Sequence, residues 1–386
     1  MLDTAPWYGH GISEIVIGYA LDTILAEDEE EGKGNHDNQI IKRIRHGSLP
    51  RSNVIINTKI GRYESNPLHQ FDFTYETTIN SAQRSLERMN CGYIDVLQLH
   101  DPEFLLGMPF SSSSASNGLE MLLKETIPAL IECRKKGWAK AIGVTGYPLE
   151  VQYKILSRCM DLQTKNEFGG IVFDQSLVYC HCNLHDVSLF RDERFPSLEE
   201  NQRRINKSED EGGSNTANKL SFSQFCQRSN VHLMCAAPLS MGLLTLCGPP
   251  SWHPASPNLK NACANAAKIC YARGVDISSI AMMFALSKRE VGCTLIGMKN
   301  VKEVDVASDL AVRFCDVDFD RDDDSVVELD KILSPQEKDT LDILLDEVNG
   351  PFAAVWSSGE YRWDGMSDVA KFWLLVEGAK RKDLEK

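Results

Sequence analysis

Ile94-Asp-Val-Leu-Gln-Leu-His-Asp101 is a short apolar segment that ends in two polar residues with versatile chemistry. An apolar run of this length, rich in branched side chains, predicts a strand that is buried on both faces. The pattern of strand, polar loop and amphipathic helix recurs along the chain, with further strands predicted near residues 54, 141, 171, 232 and 293 and a strand tip at Asp3. Such repetition predicts a parallel sheet with helices packed outside it.

Six strands and one strand tip fit an α/β fold of the (β/α)8 barrel type that lacks its first β-α unit and most of its second strand. We therefore expect the chain to be a shortened form of a longer protein. The barrel is predicted over residues 1–320, with polar insertions at about 27–38 and 186–219, and a C-terminal extension is predicted over 321–386. The second insertion is rich in Glu, Ser, Asn and Gly, so most of it is predicted to be disordered.

Two helix starts are marked by residues that accept hydrogen bonds from a helix N-terminus. Ser13 precedes a stretch with helical spacing and is predicted to cap the first helix. Thr74 opens the next predicted helix, with Glu76 in its first turn and Arg88 near its end. These charges complement the helix dipole and so favour a helix at this place.

The chain carries 55 acidic and 41 basic residues, which gives a formal net charge of -14. This balance argues against a nucleic-acid-binding surface and against attraction to an anionic membrane. No apolar run reaches the length of a membrane span.

The twelve cysteines show no disulfide spacing. We therefore expect reduced thiols and a cytoplasmic protein. The cluster Cys180-His-Cys182 has no second pair with ligand spacing, so no metal site is predicted.

Four residues with reactive side chains stand at the carboxyl ends of different predicted strands: Asp3, Lys59, His100 and Thr145. In α/β barrels the functional groups gather at this end of the sheet, so we expect these residues to share one site. Tyr8 follows Asp3 by five residues and would lie beside them. Each residue alone has an ordinary structural explanation, such as packing for the tyrosine or a surface charge for the lysine. Their combination is what indicates a site.

A phenol is a weak acid-base catalyst at neutral pH because its ordinary pKa is about 10. A neighbouring ammonium lowers this pKa, and Lys59 is predicted to do so for Tyr8. Asp3 would keep Lys59 charged and oriented, and His100 would hydrogen-bond the reacting oxygen. The set suits proton removal from a hydroxyl while hydride leaves the adjacent carbon for a nicotinamide.

Several motifs in this order resemble the aldo-keto reductase superfamily, and in particular its L-galactose dehydrogenase branch. They lie between about residues 3 and 312 and include Asp3-Thr-Ala-Pro-Trp-Tyr-Gly9, Thr58-Lys-Ile-Gly61, Leu97-Gln-Leu-His100, Gly143-Val-Thr-Gly-Tyr-Pro148 and Ala237-Pro-Leu-Ser-Met-Gly242. The resemblance implies the barrel fold and a catalytic tetrad of Asp3, Tyr8, Lys59 and His100. It also implies an NAD(P)-dependent enzyme that oxidises an aldose such as L-galactose at C1 to its lactone.

The resemblance further implies which residues hold the cofactor. Thr145 and Gln175 would contact the nicotinamide, although Tyr179 could take the role of Gln175. Pyrophosphate and adenosine contacts are implied for Leu239, Ser240, Gly242, Leu243, Gly297, Met298, Lys299, Val301 and Glu303. Both turns precede helices, whose N-terminal N–H groups suit phosphate oxygens. NAD is the expected cofactor, and NADP is the alternative because Lys299 could meet a 2′-phosphate.

Three functions stay open on the sequence. The first is the aldose dehydrogenase, for which L-fucose and D-arabinose are rival substrates. The second is an NADPH-dependent aldehyde or ketone reductase. The third is a non-catalytic, cofactor-binding regulatory subunit, which an intact tetrad argues against. The expected partner is a small-molecule sugar rather than a nucleic acid or a membrane, and the oligomeric state stays open.

Overall fold

The computed structural model describes residues 1–26, 46–66, 68–106, 114–164, 173–191, 193–197, 219–251, 253, 255–315 and 329–353. These residues fall into two compact units. Unit 1 comprises Met1–Gly146 and Glu150–Gln175, and unit 2 comprises Tyr147–Leu149 and Ser176–Ser367. The insertion predicted at 27–38 lies outside the described residues, as do residues 198–218 of the second insertion and residues 321–328 and 354–386 of the predicted extension.

Unit 1 alternates strands and helices in the way that the sequence predicts. Its strands are β1 (Leu2–Asp3), β2 (Ile56–Ile60), β3 (Ile94–His100), β4 (Ala139–Gly146) and the first residue of β5 (Gln175–Tyr179). Its helices are α1 (Ile12–Ile24), α2 (Tyr75–Met89), α3 (Glu103–Leu106), α4 (Ser114–Met121), α5 (Ile127–Lys135) and most of α6 (Leu149–Thr164). The first four strands are parallel neighbours in chain order, which confirms the predicted parallel pairing in this unit.

The register of these strands determines which side chains share a face. Asp3 pairs with Asn57, Lys59 pairs with Gln98, and Gln98 pairs with Gly143. Because side chains alternate between the two faces of a strand, these polar positions lie on one face. The alternate positions are mostly apolar and fully buried: Ile56, Ile60, Leu97, Leu99, Ile142 and Val144. One face of the sheet therefore carries the predicted site, and the other contributes to the core.

Helix α2 begins where the sequence predicts. Thr74 Oγ1 accepts a hydrogen bond from the backbone N–H of Thr77 at 3.3 Å, which satisfies one of the unpaired donors of the first turn. Glu76 lies in the first turn and Arg88 in the last. The helix ends at Asn90, whose φ of 48° is left-handed and cannot continue the helix.

The predicted cap of α1 is wrong. The helix already begins one residue before Ser13, and Gly11, with a φ of 91°, is the capping residue. A Cβ on Gly11 would lie 2.7 Å from Arg88 Cζ, the far end of a flexible side chain, so it is the left-handed φ that favours glycine here. Ser13 lies inside the first turn, and its Oγ instead pairs with Thr4 Oγ1 at 2.9 Å.

Gly61, the residue after β2, is expected to tolerate no side chain. Its φ is 107°, and a Cβ there would lie 2.4 Å from Phe73 Cε1. Gly61→Ala adds a steric clash to left-handed strain, so we expect it to lower the free energy of unfolding by about 3 kcal/mol. Gly137→Ala is the control, because Gly137 has a φ of 73° but no atom within 4 Å of the added Cβ. It should lose only about 1 kcal/mol. Urea unfolding followed by circular dichroism measures both losses, and equal losses would contradict the clash.

Unit 2 contains the remainder of β5 and the last strands and helices. Its further strands are β6 (Phe195–Pro196), β7 (Lys219–Leu220), β8 (His232–Ala236) and β9 (Cys293–Leu295). Its helices are α7 (Ser188–Arg191), α8 (Phe222–Arg228), α9 (Pro257–Ala272), α10 (Ile277–Leu286), α11 (Val301–Cys315) and α12 (Pro335–Leu345). β8 and β9 are parallel neighbours, and β6 and β7 form a short antiparallel pair.

The described ends of the second predicted insertion are structured. Residues 186–191 include α7, in which Leu189 is fully buried, and residues 195–196 form β6. Phe195 pairs with Leu220 across the β6–β7 ladder, and both side chains are buried. The predicted disorder therefore does not extend to these residues, because their apolar side chains are buried in unit 2.

The described part of the predicted C-terminal extension packs on unit 2. Ile332, Leu333, Leu341 and Leu344 are buried members of its hydrophobic core. Arg273, at the end of α9, donates from Nε to the Thr340 hydroxyl of α12 at 2.9 Å. Residues 329–353 thus belong to the compact part of unit 2.

Among the described helices, none is by itself both long and apolar enough to cross a membrane. Helices α9 and α10 reach that length and composition only together, and the chain bends by 106° at the break between them. Both helices contribute buried residues such as Leu259 and Ile280 to the core of unit 2.

Candidate active site

Lys59 is a buried ammonium group near the carboxyl end of β2, with an exposure of 1%. Its Nζ donates to Asp3 Oδ2 at 2.7 Å and to the carbonyl oxygen of Thr4 at 2.7 Å. Burial alone would lower the pKa of Lys59, but the Asp3 carboxylate, with a further contribution from Tyr8, outweighs burial and raises the pKa. Lys59 is therefore protonated at neutral pH and is held in place by Asp3.

Asn57 is a site residue that the sequence reasoning missed. Its Nδ2 donates to Asp3 Oδ1 at 2.9 Å, so each oxygen of Asp3 has its own partner. Asn57 is fully buried and lies two residues before Lys59 on β2, and period-two alternation puts both side chains on one face. A polar residue two positions before a candidate lysine on a buried strand is the signal that would have found it.

Tyr8 lies in the loop between β1 and α1, close to both Lys59 and His100. Lys59 Nζ is 4.8 Å from the centre of the Tyr8 ring. The Tyr8 and His100 rings meet edge to face, with their centres 6.1 Å apart. The loop folds back after Asp3 because the N–H of Tyr8 donates to the carbonyl oxygen of Ala5 at 3.0 Å. The structure thus brings the four residues of the predicted tetrad together in unit 1.

The pKa of Tyr8 differs from the sequence prediction. Desolvation around the hydroxyl has the largest effect and raises the pKa, Lys59 lowers it as expected, and Asp3 raises it again. The net pKa lies above the ordinary value of 10.0, so the predicted net lowering is wrong. The side chain as a whole still keeps an exposure of 38%. Tyr8 is a protonated phenol at neutral pH, which makes it a proton donor as it stands and a base only after it has lost its proton.

His100 is a neutral imidazole at the carboxyl end of β3. Burial lowers its pKa to about 3, with Asp101 opposing this effect and Lys59 and Arg62 adding to it. A neutral imidazole has one N–H to donate. His100 pairs in register with Thr145 on β4, and both residues are 6% exposed. The structure therefore brings Thr145 next to the tetrad, at the strand ends.

Gln175 lies at the other end of its strand. It is the first residue of β5, and a Cβ on Gly143 would lie 3.5 Å from Gln175 Cβ. Gly143 precedes Thr145 by two residues, so Gln175 lies one layer below the strand ends. Gln175 Nε2 is buried and has no hydrogen-bond partner among the described residues, so a contact of this side chain with the nicotinamide stays a prediction. The residue at the carboxyl end of β5 is Tyr179, the alternative that the sequence left open.

The loop after β8 makes a left-handed turn at the residues predicted to contact the pyrophosphate. Ser240, Met241 and Gly242 have φ values of 52°, 51° and 94°. The N–H groups of Ser240, Gly242 and Leu243 already donate within the turn, to the carbonyl oxygens of Ala237, Leu239 and Ser240. A Cβ on Gly242 would lie 3.3 Å from the carbonyl oxygen of Gly248, so the turn also relies on the missing side chain. A pyrophosphate contact at this turn stays a prediction.

Ser240 is predicted to contact the pyrophosphate, but its side chain is fully buried. Its hydroxyl lies 2.8 Å from His185 Nε2, and His253 Nε2 lies 3.1 Å from its carbonyl oxygen. Burial lowers the pKa of both histidines, to about 4 for His185, so they are neutral partners. The hydroxyl of Ser240 therefore stabilises the turn. Leu239 and Leu243 flank this turn, and Leu243 is buried as well.

His185 and His253 are further residues that the sequence reasoning missed. They are 55 and 13 residues away from Ser240 along the chain. Neither separation follows a helical or strand period, so no local pattern in the sequence connects them with the turn. Only the folded chain brings the two imidazoles to the same residue.

The loop after β9 lies beside the left-handed turn, because β8 and β9 are neighbouring strands. The N–H of Ala237 donates to the carbonyl oxygen of Leu295 at 3.2 Å. The predicted adenosine-side residues are exposed or half-buried here: Gly297, Met298, Lys299, Val301 and Glu303. Glu303 Oε2 accepts from the N–H of Lys299 at 2.9 Å, next to the start of α11. In unit 2, the residues predicted to contact the pyrophosphate and those predicted to contact the adenosine thus follow neighbouring strands at the same edge.

The Cys180-His-Cys182 cluster is built around a hydrogen-bonded imidazole. His181 Nδ1 lies 2.8 Å from Ser188 Oγ, and its Nε2 lies 2.8 Å from the carbonyl oxygen of Tyr147. Within the described residues no group of three or more His, Cys, Asp or Glu side chains is arranged to hold a metal ion. Both nitrogens of His181 are engaged with protein atoms, so the histidine serves the packing of unit 2.

Comparison with known proteins identifies the same family that the sequence motifs resemble. The chain matches the model of the Aldo/keto reductase family over residues 1–189 and 214–325. It is 31% identical over 303 residues to L-galactose dehydrogenase of Arabidopsis thaliana, a match that covers 78% of this chain and 70% of that protein. It is 25% identical over 311 residues to D-arabinose 1-dehydrogenase of Saccharomyces cerevisiae, which covers 80% of this chain and 71% of that protein.

A solved structure of an aldo-keto reductase from Bacillus halodurans, in its holo form, is similar to this chain with a TM-score of 0.51. The match covers 93% of this chain and 85% of the other at 16% sequence identity, so it concerns the fold alone. The family match covers more than half of the chain. The chain is therefore a member of the aldo/keto reductase family of oxidoreductases and has its (β/α)8 barrel fold, as the strand–helix repetition and the motifs predict.

Proposed function

We propose that this chain is an NAD(P)-dependent aldose dehydrogenase that oxidises a sugar such as L-galactose at C1 to its lactone. The observation that carries the proposal is the cluster of Asp3, Tyr8, Lys59 and His100, in which a phenol lies beside a buried ammonium and a neutral imidazole. Two similar proteins are aldose dehydrogenases by name, which supports a sugar as the substrate.

In this proposal the four residues act on the oxygen at C1. The phenolate form of Tyr8 would accept the proton of the C1 hydroxyl, and a bound nicotinamide would take the hydride from C1, so that a carbonyl group forms. Lys59 stabilises the phenolate form of Tyr8, and Asp3 keeps Lys59 protonated. His100 donates its single N–H to the C1 oxygen and so orients it. The nicotinamide supplies the hydride acceptor when it is bound, next to Thr145.

NAD is the proposed cofactor and NADP is the alternative. Lys299 is the cation that would meet a 2′-phosphate, but its Nζ lies 3.8 Å from Glu303 Oε1. The carboxylate offsets the charge of Lys299 and would repel a phosphate group. An acidic side chain near the adenosine ribose favours the 2′-hydroxyl of NAD by accepting its hydrogen bond. The pair therefore supports NAD.

The proposed partner is a small-molecule sugar and the proposed compartment is the cytoplasm. All twelve cysteines are free thiols, and most of them are buried. Free thiols in this number are typical of proteins in a reducing compartment. The net charge of -14 gives no electrostatic support to binding of a nucleic acid or an anionic membrane.

An NADPH-dependent aldehyde or ketone reductase is the second candidate, and the raised pKa of Tyr8 favours it. A phenol that keeps its proton at neutral pH is ready to protonate a carbonyl oxygen, which is the step that reduction needs. Oxidation requires the same phenol to lose its proton first. The same four residues serve both directions, so the substrate decides between the two candidates.

Assays with purified protein distinguish the candidates. We expect NADH to form when NAD⁺ is mixed with L-galactose, and the specificity constant to exceed those for L-fucose and D-arabinose. NADP⁺ should give a lower rate at equal concentration, because Glu303 offsets the charge of Lys299. Absorbance at the nicotinamide band follows each reaction. Consumption of NADPH with simple aldehydes, without reduction of either cofactor by any of the three sugars, would instead identify a reductase.

A further inference from the structure

Asp101 places a carboxylate beside the four residues of the tetrad. It directly follows His100 at the end of β3 and has a left-handed φ of 50°. One oxygen, Oδ2, lies 3.5 Å from His100 Nε2 and 2.6 Å from Arg62 Nη1. The carboxylate therefore stands between an imidazole of the site and a guanidinium group.

The position of Asp101 is defined by its backbone and by its partner. Its N–H donates to the carbonyl oxygen of Thr145 at 2.9 Å. Arg62 is held in turn, because its guanidinium carbon lies 4.1 Å from the centre of the Trp7 ring. With its amide oxygen turned toward Arg62, Gln70 accepts from Nη2 at 3.1 Å. A carboxylate anchored in this way presents a fixed negative charge to His100.

The two nitrogens of His100 have different surroundings. Nδ1 is shielded from solvent and has no hydrogen-bond partner among the described residues. Nε2 faces Asp101 Oδ2. The ring is neutral, so only one nitrogen carries a proton, and its neighbours determine which one. An ionised carboxylate only accepts hydrogen bonds and is attracted to an N–H while it repels a lone pair. The surroundings thus favour the proton on Nε2.

We propose that Asp101 is a positioning residue that keeps the proton of His100 on Nε2, so that the imidazole can donate a hydrogen bond to the reacting oxygen. Because Nδ1 is shielded, Nε2 is the nitrogen that a substrate oxygen can reach. In the other tautomer its lone pair would face the carboxylate and the substrate oxygen, and both contacts would be repulsive. The inference rests on the proposed role of His100 and adds the reason why its tautomer is correct.

Asp101→Gly is the variant that tests this inference. Glycine adopts a left-handed φ without strain, so the strand end should keep its shape. The variant leaves no carboxylate opposite Nε2, and the positive charge of Arg62, which also acts on His100, then favours a lone pair there over an N–H. The proton therefore moves to Nδ1. Loss of a preorganised donor of this kind lowers kcat by about 100-fold, while the Kd for NADH should stay within about twofold.

The tautomer itself is measured by nitrogen-15 NMR on histidine-labelled protein without substrate. His100 is one of nine histidines and is assigned by the signal that disappears in His100→Gln. We expect the Nε2–H form in the native protein and the Nδ1–H form in Asp101→Gly. Glu64→Gln removes an exposed carboxylate near Arg62 in the chain and should change neither the tautomer nor kcat.

Several outcomes would overturn the inference. The native protein could carry the proton on Nδ1, a result that needs no variant. Asp101→Gly could keep the Nε2–H form, whatever its activity, or could change the tautomer and keep its kcat. Because the NMR measurement needs no turnover, the inference can fail while the aldose assays succeed. If the aldose assays fail while the tautomer follows Asp101, the proposed substrate is at fault instead.

Discussion

Tyr8→Phe is expected to lower kcat by about a thousandfold and to leave the Kd for NADH within about twofold. The substitution removes only the hydroxyl, which is the group that takes or gives the proton at C1 oxygen in the proposed reaction. The ring stays in place against His100, so the shape of the site is kept. Steady-state kinetics gives kcat, and NADH fluorescence gives the Kd.

The pH profile makes this expectation more specific. Because desolvation raises the pKa of Tyr8 above 10.0, the base form is scarce at neutral pH. The rate of oxidation should therefore rise by about tenfold for each pH unit where the chemical step is limiting. The rate of carbonyl reduction should stay level, since it uses the protonated form. In Tyr8→Phe the rise with pH should disappear.

Tyr19→Phe is the matched control for this experiment. Tyr19 lies on α1 with an exposure of 62% and takes no part in the site. It should keep both the native kcat and the native pH profile. If Tyr8→Phe also keeps its kcat, Tyr8 is not the proton-transfer residue and the proposed mechanism is wrong.

Asp3→Asn is expected to lower the free energy of unfolding by about 3 kcal/mol and kcat by at least about 100-fold. Lys59 is 1% exposed, and Asp3 is its counter-charge at 2.7 Å. Without the carboxylate a buried ammonium keeps only neutral partners, such as the carbonyl oxygen of Thr4. A charge that loses its buried partner is strongly destabilising, because water no longer solvates it. Urea unfolding at pH 7 measures the loss.

A second substitution separates the charge from its packing. Asp3→Asn combined with Lys59→Met removes both charges and keeps an unbranched side chain of similar length at residue 59. Replacement of a complete buried ion pair by neutral groups is often tolerated, so the double variant should recover at least half of the lost stability. Its kcat should remain low, because Tyr8 then has no ammonium beside it. Recovery of activity together with stability would contradict the role given to Lys59.

Most of the barrel could be predicted from local patterns in the chain. The apolar runs at β2, β3 and β4 have the lengths of buried strands, and the cap of α2 by Thr74 follows from side-chain chemistry that acts over three residues. The start of α1 could not be predicted in this way. The predicted cap, Ser13, pairs its hydroxyl with Thr4 instead, and the helix begins after Gly11, whose φ of 91° is left-handed.

The tetrad could also be predicted, because parallel strands bring their carboxyl ends to one edge. Residues that follow different strands, such as Asp3 and His100, therefore meet without any special signal in the sequence. The pKa of Tyr8 could not be predicted from the same residues. Its direction depends on the balance between desolvation and the charge of Lys59, and the degree of burial exists only in the folded chain.

The sequence by itself determined the family, the strand order of unit 1 and the identity of the residues that can exchange a proton, since these depend on periodicity and on residue type. Only the tertiary structure decided how those residues behave. It buries Lys59 against Asp3, turns the hydroxyl of Ser240 toward His185 and brings Asn57 to Asp3. Hydrogen bonds and desolvation act over a few ångströms, and the atoms that come so close belong to residues that are far apart in the chain.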